Sequence, residues 1–409
     1  MSPSGRGARA RRWAGNLLLL GGSTLVALLL GEGIARLAID IEPFRYLADA
    51  GSPHWNQDHP TRRYALTPGY RGRLIATEFD TRVEINRLGL RGPAPRRVGG
   101  PLVFAAGDSF TFGVGAEADA AVPARLAAHL AAAGRPIEVW NLGVPGYALQ
   151  PSILHVEELL EHRPAAVALF VYLGSRASGA NDVSGAVVFE RWAHDASSPR
   201  PELGPTGDRA IAETAAAAQT EPAARRVRPR DARRLLERRS ALFNAAMLSL
   251  APRLRAWRQS RQATGEAERR QMEDGWRLMD AWLARFKERA ASARFEPILI
   301  AVPELPDLLR SERAPIDRLA KLAARHRLPF VDGFAALGLA DGGPSALYYP
   351  LDGHLNANGY DRLALATTDA VAKALVRHAA RVGSREEDAQ QPSRRSIDAA
   401  AAEAATSGV

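Results

Sequence analysis

The chain has 409 residues, 46% of them hydrophobic, enough for one large domain or two smaller ones around a substantial core. Its formal net charge of +9 comes from arginines spread along the chain, with no zinc-finger, helix-turn-helix or RNA-binding signature beside them, so the reading excludes nucleic acid as a partner. It contains no cysteine, which excludes disulfides, thiolate metal sites, a cysteine nucleophile and a lipid-modified N-terminal cysteine.

The first predicted element is membranous. Arg6, Arg9, Arg11 and Arg12 lie in a basic segment, residues 1–12, and precede an apolar run from Trp13 to Leu30 that is just long enough to cross a bilayer. No small-x-small cleavage site follows in "LLLGEGIARLAID", so residues 13–30 read as an uncleaved single-pass anchor in the inner membrane. The positive-inside rule then keeps the arginines cytoplasmic and places everything beyond Leu30 outside, in the periplasm. Residues 31–100 read as a small β-containing lead-in, because "TEFDTRVEI" alternates like a strand and "NRLGLRGP" is rich in turn residues.

From Leu102 the pattern changes to short apolar runs separated by helical segments. The runs are "LVFAA", "IEVWNL", "AAVALFVYL", "EPILIAVP" and "PFVD", and the segments between them include "AAVPARLAAHLAAA", "LQPSILHVEELLEH" and "PIDRLAKLAARH". Such alternation predicts βαβ units, hence a flavodoxin-like α/β domain over residues 101–380, with three layers and a five-stranded parallel sheet. Residues 183–295 interrupt it with an Ala-, Arg- and Glu-rich insertion, expected to form two long helices packed as a hairpin on or beside the site. The tail, residues 381–409, is poor in large apolar residues and is expected to be disordered.

In a parallel sheet the ligand crevice lies at the carboxyl ends of the strands, so polar residues just after the apolar runs are candidates by position. They are Gly107-Asp108-Ser109 after the first run, Asn141, Gly143 and Gly146 in "NLGVPGY" after the second, and Gly179, Asn181 and Asp182 after the third. Near the far end, "YYPLDGHLNANGY" adds Asp352 and His354. These are the parts of serine-based acyl chemistry: Ser109 as nucleophile, His354 as base, Asp352 to orient the imidazole, and the Ser109 N–H, the Gly143 N–H and the Asn181 amide as oxyanion donors. Plainer roles exist for each residue. Ser109 could cap a helix, Asn181-Asp182 could be a turn, and His354 could sit at the opening of the last helix. The glycines near Ser109 lack the Gly-Lys-Ser/Thr of a phosphate loop, and "GDSFTFG" is not a Gly-x-Ser-x-Gly elbow. No histidines stand at metal-ligand spacing, and the chemistry calls for no metal or organic cofactor.

Taken in order, the four blocks resemble those of the SGNH, or GDSL-type, hydrolase superfamily. The resemblance implies Ser109 as nucleophile and donor, Gly143 and Asn181 as further donors, and His354 with Asp352 completing a triad, over about residues 102–378. Two departures stand out. The last block is Asp-x-His where the superfamily has Asp-x-x-His, a spacing similar to alginate O-acetyltransferase-like proteins, and the Asn181 loop is stretched beyond Gly174. The expected function is therefore a serine esterase that hydrolyses or transfers a short acyl group of an oxygen ester, with cell-envelope carbohydrate as the substrate class. The alternatives are an O-acyltransferase acting on a polysaccharide and a catalytically silent scaffold of the envelope.

Overall fold

A computed structural model describes residues 4–38, 47–48, 56–76, 78–96, 100–174, 182–193, 240, 242–243, 266–339, 342–350 and 352–406. The chain divides into two compact units. One comprises Met1–Leu47, Ile75–Asp80 and Ala223–Ala263, and its main described element is the helix α1 (Ser4–Ala38). Within α1, Leu18–Leu37 is long and apolar enough to cross a membrane, a property shared by anchors and signal sequences. That stretch lies several residues later than Trp13–Leu30, because Gly31, Glu32 and Gly33 do not break the helix.

The other unit comprises Ala48–Leu74, Thr81–Pro222 and Thr264–Val409. The lead-in contributes short strands: β1 (Leu47–Ala48), β2 (Asn56–His59), β3 (Arg63–Leu66), β4 (Arg71–Ala76) and β5 (Phe79–Glu84). β2 and β3 form an antiparallel hairpin with Asn56 opposite Leu66. β5 alternates buried and exposed residues, as "TEFDTRVEI" predicts.

The main sheet consists of β6 (Leu102–Gly107), β7 (Glu138–Gly143), β8 (Ala166–Leu173), β9 (Glu296–Pro303) and β10 (Phe330–Asp332), all parallel, in the spatial order β10-β9-β8-β6-β7. Numbered within the sheet this is 2-1-3-4-5, the flavodoxin-like order. β6 and β9 are buried along their whole length, and β8 nearly so, because helices cover both faces.

The helices are α2 (Ser109–Phe112), α3 (Val122–Ala132), α4 (Leu149–Glu158), α5 (Asp182–Ala193), α6 (Glu266–Ala293), α7 (Leu305–Arg310), α8 (Ala314–Arg325), α9 (Gly333–Gly338) and α10 (Ala357–Thr406). α4, α5, α6 and α8 pack together on one face, and α3, α9 and α10 on the other. α6 buries Trp276, Met279, Leu283, Phe286 and Ala290, three or four residues apart along one stripe of the helix, with Trp282 beside them. It accounts for the second of the two expected insertion helices; the first lies outside the described residues. The tail differs from expectation, since α10 continues to Thr406. Low apolar content argued for disorder, but Ala, Glu, Arg and Gln are also strong helix formers, and backbone propensity does not require a buried face.

Candidate active site

β6 delivers Ser109. The strand ends at Gly107, Asp108 caps the short helix α2 by accepting the Phe110 N–H at 2.9 Å, and Ser109 becomes the first helical residue, next to the carboxyl end of the sheet. His354 arrives from the opposite end of the domain on the loop before α10. That loop is held by Tyr349 N–H donating to His354 O at 2.8 Å and Gly353 N–H donating to Tyr349 O at 2.9 Å. It is tied to the loop beyond α2 by the Tyr349 hydroxyl, which donates to Gly115 O at 2.7 Å, and by the Tyr360 hydroxyl, which donates to Val114 O at 2.8 Å.

The result brings Ser109, His354 and Asp352 into one hydrogen-bonded row. His354 Nε2 lies 2.7 Å from Ser109 Oγ, and His354 Nδ1 contacts Asp352 Oδ1. A carboxylate can only accept, so Nδ1 carries the hydrogen and Nε2 offers its lone pair to the serine hydroxyl. Asp352 also accepts the backbone N–H of His354 at 3.3 Å, an Asx-type turn over Gly353, which takes the left-handed φ of 87°. Sequence spacing suggests an extended Asp-Gly-His segment; the turn achieves the same approach in a tighter form. Behind the imidazole, the Phe110 ring lies 4.8 Å from it and stacks on Tyr172 at 4.5 Å. The imidazole is therefore held at both nitrogens and backed on one side.

Residues 105–274 match the model of the GDSL-like Lipase/Acylhydrolase family. Over those residues the chain is similar to GDSL-like lipases and acylhydrolases. No curated protein matches it in sequence. Similar solved structures include a lipase/acylhydrolase from Enterococcus faecalis, 14% identical with a TM-score of 0.35 over 66% of this chain and 95% of that one. Another is the psychrotrophic esterase EstA from Pseudoalteromonas sp., 10% identical with a TM-score of 0.34 over 66% and 97%. A third is a member of the lipolytic protein G-D-S-L family from Veillonella parvula, 12% identical with a TM-score of 0.33 over 66% and 96%. The match to the GDSL-like lipase/acylhydrolase model supports an enzyme that hydrolyses esters.

Two buried carboxylates lie near Ser109, and one of them, Asp108, caps its helix. Burial pushes Asp108 up to about 6, against the pull of the Phe110 N–H and of nearby His354. Asp182, at the start of α5, accepts the Tyr172 N–H at 2.7 Å and is raised well above the usual carboxylate range by burial and by the charge of Asp108. The loop before it, with Gly179 and the candidate donor Asn181, lies outside the described residues.

Gly143 is placed differently from expectation. Its N–H already donates to Asn141 Oδ1 at 2.9 Å, so it is not presented to a ligand. A Cβ at Gly143 would fall 2.1 Å from the Phe112 nitrogen; glycine stands there so that β7 can lie directly against α2. Three residues on, Gly146 is exposed, and its N–H has no acceptor among the described residues.

Sequence reasoning also missed the lead-in's contribution. Arg91, buried, donates through Nη1 to Phe112 O and Gly113 O, both at 2.6 Å, and through Nη2 to Ala116 O, clamping the loop that follows α2. Tyr64 donates to Pro145 O at 2.8 Å in the loop after β7. The only sequence signal was weak: arginine and tyrosine in a segment otherwise rich in turn residues.

Proposed function

We propose that this protein is a serine esterase that removes or transfers a short acyl group, acetyl above all, from an oxygen ester. The observation that carries the reading is the unbroken hydrogen-bonded row from Ser109 Oγ through His354 to Asp352 at the carboxyl end of the parallel sheet. In the first half-reaction Ser109 Oγ attacks the ester carbonyl while His354 Nε2 takes the hydroxyl proton, and Asp352 stabilises the imidazolium. The tetrahedral intermediate collapses, the C–O bond to the alcohol breaks, and His354 returns the proton to the departing alcohol. An acyl ester on Ser109 remains. In the second half-reaction His354 deprotonates water or a sugar hydroxyl, which attacks the acyl carbonyl and restores the free serine.

The carbonyl oxygen carries negative charge in both tetrahedral intermediates and needs donors. The Ser109 N–H, first in α2, is one. The Gly146 N–H takes the place expected of Gly143, since Gly146 lies in the loop that leaves β7 beside α2 and its N–H is uncommitted among the described residues. The Asn181 side-chain amide is the third. Cell-envelope carbohydrate is the proposed substrate class and the periplasm the proposed compartment, on the strength of the N-terminal apolar helix and its preceding arginines. The Asp-x-His spacing favours a second reading, transfer of the acyl group to a polysaccharide hydroxyl.

The test is intact-mass detection of a fluorophosphonate adduct on the full chain in detergent, with turnover of p-nitrophenyl acetate measured in parallel. A single adduct is expected, absent from Ser109→Ala and lost or greatly slowed in His354→Ala, with turnover falling by about ten-thousandfold in both. Faster acyl-enzyme breakdown with added oligosaccharide than in water alone identifies the transferase. A folded wild-type chain that forms no adduct would overturn the esterase reading and favour a silent scaffold.

A further inference from the structure

The lead-in hairpin, outside the matched residues 105–274, contacts the loop after β7 at Pro145 and at Tyr147. Tyr64 Oη donates to Pro145 O at 2.8 Å. That carbonyl and the Gly146 N–H are the two ends of a single planar peptide unit, so whatever fixes one fixes the direction of the other. We infer that Tyr64 is a positioning residue for the acyl oxyanion: by holding the Pro145 carbonyl it aims the Gly146 N–H, an inference that rests on Gly146 being a donor as read above.

Four observations bear on it. The hydroxyl packs directly on the glycine: Gly146 takes a left-handed φ of 82°, and a Cβ there would fall 2.7 Å from Tyr64 Oη. Tyr64 is itself held rather than free. The Tyr147 hydroxyl donates to Tyr64 O, the two rings meet edge-on at 5.2 Å, and Arg62 donates to the Tyr147 hydroxyl at 2.9 Å while pairing with Glu158. Burial, with a contribution from the charge of Asp108, pushes the phenol up to about 12, so it stays a donor at every pH where a histidine base can work. Finally, a carbonyl that accepts a hydrogen bond polarises its own peptide, which makes the N–H at the other end a better donor to a developing negative charge.

The experiment uses the full chain in detergent, p-nitrophenyl acetate as substrate, and Tyr64→Phe, which removes the hydroxyl and keeps the ring against Tyr147. The expected result is a fall in kcat of about tenfold to a hundredfold with KM within about twofold, because a misaimed donor weakens the transition state more than the bound ester. Affinity for a trifluoromethyl ketone, whose hemiketal on Ser109 puts an oxyanion in the same place, should fall by the same factor. A kcat within about threefold of wild type would overturn the inference, as would a loss of kcat with ketone affinity unchanged. So would a Tyr64→Phe chain without a cooperative urea transition, which would assign the hydroxyl to stability. If the wild-type chain shows neither turnover nor a phosphonate adduct, the esterase reading fails and the role of Tyr64 with it; normal wild-type turnover untouched by Tyr64→Phe removes the positioning role alone.

Discussion

At the scale of single residues, Asp108 shows how a site stores pH dependence. A buried carboxyl raised from 3.8 to about 6 binds its proton more tightly in the folded chain than in the unfolded one. It therefore favours the folded state in acid, and that contribution is lost as pH rises from about 4 to about 6. Asp108→Asn keeps an oxygen to accept the Phe110 N–H and removes the ionisation. Its urea midpoint should vary less than wild type between pH 4 and 6, and above pH 6 it should be the more stable protein by roughly 1–3 kcal/mol. Ser109, Asp352 and His354 were legible from sequence only as a set: each alone has a plain role as a cap or turn residue, and it is their order along the chain, after the strands and before the last helix, that singles them out. Gly143 was misread because a glycine that lets two backbones touch and a glycine that offers its N–H look alike in one dimension. Tyr64 was illegible for a different reason: its partner is 81 residues away, and nothing local marks a phenol as a donor to a distant carbonyl.

Among the elements, the strands of the main sheet were the most legible, since a strand covered on both faces must be apolar throughout, and "EPILIAVP" is β9 to the residue. Helix ends were harder, as the run of α10 to Thr406 shows, because composition reports burial better than it reports backbone conformation. α6 carries the clearest prediction at this scale. Trp282 is fully buried, and its indole N–H donates to Glu190 at 3.1 Å, a carboxyl that burial pushes up to about 7. Trp282→Ala should cost about 3–5 kcal/mol in urea unfolding. Trp282→Phe fills most of the volume but leaves Glu190 without this donor, and should cost about 1–3 kcal/mol. Because Glu190 binds its proton more tightly when folded, the Phe variant should suffer most at high pH, where the carboxyl must ionise without the indole N–H to stabilise it.

For the whole molecule, the apolar stretch Leu18–Leu37 predicts that the full chain sediments with membranes and needs detergent for release. Intact mass of the membrane-extracted protein separates the two uses of such a helix: retention of residues 1–38 means an anchor, and their loss means a cleaved signal. A chain lacking residues 1–38 should remain in the supernatant and label with fluorophosphonate at the wild-type rate. The hydrogen bond between Ser109 and His354 joins residues 245 apart, and every strand from β7 to β10 lies between them in the chain. On the ribosome, Ser109 therefore emerges long before His354. On the mechanism proposed above, a growing chain holds a serine no more reactive than any other hydroxyl, and ester cleavage begins only after the last helix has docked and synthesis is nearly over.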